Sequence, residues 1–98
     1  MPPRAPTPKS TSSAEHSALC GWLVETRLAQ GVTQVALAKA LGFSQPYISH
    51  VENGDVRVDP VQLYRWLQAL KVDPLDWHAE LYTRMDRAAK AERRKRQG

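Results

Sequence analysis

Thr33 to Gly54, TQVALAKALGFSQPYISHVENG, constrains this chain more than any other stretch. Thr33 is a strong helix N-cap, because its hydroxyl can accept a hydrogen bond from a backbone N–H that the first turn leaves unpaired. Leu37, Ala38 and Leu41 follow at helical spacing, and Gly42 can take the left-handed conformation that ends a helix. Ser44 can cap a second helix. Pro46 falls in its first turn, where a missing N–H is tolerated, and this directs the Ser44 cap onto the N–H of Tyr47. Asn53-Gly54 closes the second helix. Two short helices joined by a tight, glycine-bearing turn are the expectation.

At about 100° per residue, Ile48, Val51 and Glu52 share one arc of the second helix, which should face the core. Pro46, Ser49, His50 and Asn53 share the opposite arc, with Gln45 and Tyr47 flanking it near the helix start. A face turned only to solvent more often carries Lys and Glu. This one offers compact groups that donate and accept hydrogen bonds, as base edges and phosphates require.

Helix, turn, helix is the helix-turn-helix pattern. Gly31-Val-Thr-Gln34, Leu37-Ala38, Leu41-Gly42, Ser44, Ile48-Ser49 and Glu52-Asn-Gly54 resemble the signature of the lambda-repressor-like DNA-binding domains, the Cro/C1 or xenobiotic-response-element type. The resemblance spans residues 19 to 82. It implies a compact all-α bundle of five helices whose third helix enters the major groove of DNA. Family members often carry basic residues just after the glycine that follows this helix. Asp55 departs from that, leaving Arg57 as the loop's candidate phosphate contact.

Read on this frame, Gln45 can make two hydrogen bonds to adenine, and Ser49 and His50 lie one turn further in, with His50 able to donate to guanine N7 or O6. Tyr47 and Pro46 offer apolar contact to a thymine methyl, Gln34 and Asn53 suit phosphate, and Ser44 and Arg57 complete the candidate DNA-binding set.

A first helix is expected from about Glu15 to Gln30, capped by Ser12 or Ser13 and ended by Gly31. Leu19, Leu23 and Arg27 form its stripe, flanked by Trp22. Arg27 and Glu52 thus face one core with opposite charges, which is far less costly paired than alone. They are read as a structural ion pair, and the family resemblance supports it. Asp59-Pro60 starts a fourth helix presenting Leu63, Leu67 and Leu70, with Trp66 as core filler. Asp73-Pro74 starts a fifth, on which Leu75, His78, Leu81 and Met85 share a face continued by Ala88 and Ala89, with Trp77 adjacent. This helix should extend towards Arg93 before fraying.

Charge is unevenly placed. Residues 1–14 hold two basic side chains, four prolines and five Ser/Thr, and read as a disordered arm. Residues 15–83, the helix-turn-helix domain, hold five basic and eight acidic side chains, net −3. Residues 84–98, a basic helical extension or tail, hold seven basic and two acidic, net +5. A mildly acidic domain argues against sequence-blind electrostatic DNA binding but not against specific binding.

Cys20 is the single cysteine, which allows no internal disulfide and suits a reducing compartment; its place on an apolar helix predicts a buried or half-buried thiol. No apolar run reaches membrane-spanning length, and a soluble, cytoplasmic, nucleoid-associated protein is expected. His16, His50 and His78 lie on three different helices without metal-ligand spacing. Ser49 and His50 are helix neighbours that cannot face each other as nucleophile and base. No enzyme, metal or cofactor is expected. The favoured reading is a dimeric, sequence-specific repressor of transcription on a palindromic operator in double-stranded DNA. Its homodimer interface would use Trp77, Leu81, Tyr82 and Met85. The alternative is an antitoxin or other protein-interaction module that grips a toxin and also binds its own promoter.

Overall fold

In a computed structural model, residues 13–97 are described. They form five helices, α1 (Ala14–Ala29), α2 (Gln34–Leu41), α3 (Gln45–Glu52), α4 (Pro60–Leu70) and α5 (Pro74–Gln97), and no strand is present among the described residues. Most of the expected N-terminal arm lies outside this range. Ser13 and Ala14 do not belong to the arm at all: Ser13 caps α1 and Ala14 begins it.

The first four helices start in the same way. Ser13, Thr33, Ser44 and Asp59 have extended backbones, and each side chain accepts from the N–H three residues on, those of His16, Ala36, Tyr47 and Gln62. Asp73 similarly accepts from the N–H of Leu75 at the start of α5. The first four also end alike. After α1, Val32 N–H bonds to Arg27 C=O and Gly31 N–H to Leu28 C=O, and the same paired closure follows α2, α3 and α4. Gly31, Gly42 and Gly54 supply the left-handed residue in three of these closures. Lys71 supplies it in the fourth with φ 61°, where a glycine would be less strained.

The core gathers Leu23 from α1, Leu37 and Ala38 from α2, Ile48 and Val51 from α3, Leu63, Trp66, Leu67 and Leu70 from α4, and Trp77 and Leu81 from α5. Cys20 is buried as expected. α1 lies along α5, α2 packs on both α3 and α4, and α1 also meets α3.

Helix α5 departs from expectation in two ways. Its buried face runs through Trp77 and Leu81, with Met85 packed against the core, while Leu75 is 82% exposed. Leu75 lies about 120° around the helix from Leu81, so it cannot share the face that α1 covers. The helix also runs past Arg93 to Gln97, through Ala, Lys, Arg and Glu residues that favour helix. Ion pairs between Asp86 and Lys90 and between Glu92 and Arg96 brace successive turns.

Candidate nucleic-acid interface

The interface is built outward from one buried charge pair. Arg27 Nε donates to Glu52 Oε2 at 2.6 Å and Nη2 to Oε1 at 3.1 Å, a two-pronged contact whose side chains are only 10% and 4% exposed. Arg27 Nη1 also donates to Val32 C=O at 2.9 Å, in the turn before α2. The expected pairing of α1 with α3 is therefore present, and it is bidentate, the stronger form of such contacts.

Glu52 has a third donor. Gln34 Nε2 donates to Glu52 Oε1 at 2.8 Å, and Gln45 Nε2 donates in turn to Gln34 Oε1 at 2.6 Å. The chain Arg27–Glu52–Gln34–Gln45 thus runs from the buried pair to the exposed start of α3. Each amide is oriented by the next, so Gln45 reaches solvent with its side chain already ordered.

On α3 itself Pro46, His50 and Asn53 are exposed and Ser49 is half-buried, so the predicted polar arc faces outward. Ser44 is exposed, but its hydroxyl is engaged with the Tyr47 N–H at 3.3 Å. Tyr47 differs from expectation. It is half-buried against the core, its ring 4.8 Å from that of Phe43, and its hydroxyl accepts from Gln62 Nε2 of α4 at 3.1 Å. Tyr47 sits on the side of α3 that turns towards α4, so its ring is spent on packing. Phe43, 36% exposed and also against Trp66, was not singled out by sequence reasoning. A single aromatic in a turn has no periodic signal to mark it.

A helix-turn-helix family model matches residues 23–77, from Leu23 in the core to Trp77, and so takes in both helices and the buried pair. The chain belongs to the Cro/C1-type helix-turn-helix family. Among solved structures, the clp gene regulator ClgR from Corynebacterium glutamicum matches with a TM-score of 0.70 and 30% sequence identity, over 85% of this chain and 87% of that one. No curated protein sequence matches the chain significantly. As a member of this family, the protein is a DNA-binding transcriptional regulator.

The end of the helix-turn-helix holds a contact that sequence reasoning missed. His50 Nδ1 lies 3.2 Å from Asp55 Oδ2, and the two side chains are 59% and 58% exposed. The closure of α3 makes this possible: Gly54 turns left-handed at φ 86°, and Asp55 N–H bonds to the C=O of His50 at 2.9 Å. The five-residue spacing across a glycine was the available signal. Arg57 is exposed in the loop that follows. Behind the loop, Cys20 Sγ donates to Val51 C=O at 3.4 Å. Burial pushes this thiol above its ordinary range, with Arg57 pulling the other way.

The expected dimer residues are divided by the fold. Trp77 and Leu81 are 3% and 4% exposed and are consumed by this chain's own core, because α1 covers that face of α5. Met85 is half-buried beside them, and Tyr82 is 64% exposed. No described helix is long and apolar enough to cross a membrane.

Proposed function

We propose that this protein is a sequence-specific repressor that binds a palindromic operator as a homodimer, with α3 in the major groove. The observation that carries the reading is the exposed polar arc of α3, with Gln45 oriented through Gln34 and Glu52 on a buried charge. Groups ordered in advance lose less freedom on binding and discriminate better between bases. In this reading Gln45, Ser49 and His50 meet base edges. Pro46 offers apolar contact. Gln34, Ser44, Asn53 and Arg57 meet the backbone.

One short helix reads only a few base pairs, and two helices about 34 Å apart read one face of the duplex. A two-fold dimer then needs a self-complementary patch. Leu75 and Tyr82 are seven residues apart on α5 and so share a face; both are exposed, with exposed Ala79 between them. That strip replaces Trp77 and Leu81 as the dimer surface, with Met85 at its edge. The same strip is where a toxin or other protein partner would dock in the alternative reading.

Selection of bound sequences from a random DNA pool, combined with the solution mass at micromolar concentration, tests the proposal. A palindromic consensus and a dimer are expected. A monomer that selects a non-palindromic site would overturn the dimer. The basic end of α5 should add affinity without sequence information. Deleting Lys90–Gly98 should flatten the slope of log affinity against log salt by roughly one to three units and leave the consensus unchanged. An unaltered slope together with loss of dimer or of a protein partner would make the tail an assembly element.

A further inference from the structure

Asp55 follows the left-handed Gly54 just beyond the end of α3, and its exposed carboxylate lies 3.2 Å from His50 on the outward arc of that helix. Its carboxylate does not point away from the site. It is bonded to His50, and its own backbone N–H is tied to the His50 carbonyl, so the two residues close a small ring through Gly54. Both side chains are exposed, so the contact bears less on stability than on the chemistry of the imidazole.

We propose that Asp55 is a specificity-determining residue that fixes the tautomer of His50 and so selects which base it reads. This inference rests on α3 reading DNA. An ionised carboxylate can only accept hydrogen bonds. Facing it at 3.2 Å, Nδ1 must carry the proton. The neutral ring then has no proton on Nε2, which lies across the imidazole from Asp55 and is left as an acceptor. In the major groove the donors are the exocyclic amino groups, N4 of cytosine and N6 of adenine, whereas guanine offers only acceptors there. With its ring neutral, a His50 held in this way pairs with an amino-bearing base and disfavours guanine. The simple expectation that histidine donates to guanine is reversed by the residue five positions on. Asp55 also repels phosphate. Its place beside a base-reading residue trades some affinity for specificity.

Two measurements on the full chain test this. In the free protein at pH 8.5, long-range proton–nitrogen correlation spectra distinguish a protonated from an unprotonated ring nitrogen. His50 should show Nδ1 protonated in the wild type and a mixture of tautomers in Asp55→Asn, whose amide can donate as well as accept. A wild-type ring protonated mainly at Nε2 overturns the proposal whether or not DNA is bound. The second measurement is selection from a random duplex pool, also at pH 8.5, with wild type, His50→Ala and Asp55→Asn. The base position at which preference collapses in His50→Ala is the one His50 reads. Wild type should favour cytosine or adenine there, by roughly three- to tenfold over guanine. Asp55→Asn should bring guanine to near parity while other positions hold. A wild-type preference for guanine, or an Asp55→Asn consensus identical to the wild type, overturns the proposal and leaves α3 as the reading helix. Failure of the wild type to select any sequence would instead defeat the reading of α3, and the spectra would still decide the tautomer. Because Asp55 is exposed and its backbone bond to His50 does not need the carboxylate, Asp55→Asn should melt with the wild type.

Discussion

On one flank of α1, Arg27 reaches Glu52 of α3 through two hydrogen bonds, and Gln34 and Gln45 extend that contact to the surface. On the other flank, Trp22 stacks on Trp77 of α5 with ring centroids 5.9 Å apart and planes 16° from parallel. Each indole there has a partner: Trp22 Nε1 donates to Trp77 C=O, and Trp77 Nε1 donates to Thr26 Oγ1. Arg84 lies 4.1 Å over the Trp22 ring and pairs with Glu25 and Glu80. One helix is thus held by a directional polar clamp on the side of α3 and by flat aromatic area on the side of α5.

The difference shows what each seam has to do. Burying a charge pair is a poor way to gain stability, since desolvation offsets much of the attraction. It does favour one arrangement, because a displaced register would leave the buried guanidinium or carboxylate without its two-pronged contact. The polar seam ties α3 to α1 and, through Gln34, orients Gln45 at the start of α3. The aromatic seam has only to cover the core and hold α5, and stacked rings supply area for that.

The largest expected effect lies in the polar seam. Arg27→Met or Glu52→Gln alone leaves a buried polar or charged group uncompensated and should cost about 3–5 kcal/mol, a large share of the stability of a small domain. The double variant should recover part of the loss in urea melts. Near-neutral single variants would erase the contrast between the seams.

An intermediate effect is expected at the aromatic seam. Trp77→Phe keeps a ring on Trp22 but loses the hydrogen bond to Thr26 and some volume, which should cost about 1–3 kcal/mol. Thr26 still donates to Trp22 C=O at 2.6 Å, so no buried donor is orphaned. DNA affinity of the folded variant should be unchanged. If base preference shifts instead, the aromatic seam also positions the reading helix, and the two seams are not separate devices.

The smallest effect belongs to the rim. Hydrogen bonds from Arg84 hold the Glu25 carboxyl below its ordinary range, while Glu25 itself is largely exposed. A carboxyl lowered on folding stabilises the protein above its unfolded titration range and loses that contribution as pH falls through the lowered value. The melting-temperature gap between wild type and Arg84→Met should therefore be present at pH 7, narrow below the ordinary carboxylate range, and shrink in high salt. A gap that ignores both pH and salt would assign the whole contribution of Arg84 to its stacking on Trp22.

What could be read from residue order was what depends on near neighbours. The capping of α1 to α4 by Ser13, Thr33, Ser44 and Asp59 is a contact over three residues, and the closures at Gly31, Gly42 and Gly54 span five. The pairing of Arg27 with Glu52 was legible for a different reason: each charge stood alone on an apolar stripe, and only one opposite charge shared its core. Tertiary structure decided the rest. On α5 two overlapping apolar stripes, one through Leu75 and Tyr82 and one through Trp77 and Leu81, are equally helical in spacing. The packing of α1, and of α4 beside it, determines that the second is buried. The inward turn of Tyr47 onto Phe43 and Gln62 was settled likewise by where α4 lies. The contact of Asp55 with His50 required a left-handed Gly54 to bring back a residue whose sequence position suggested only a missing basic group. A helical repeat states which residues share a face. It does not state which face another helix will cover, because that depends on packing against the whole core.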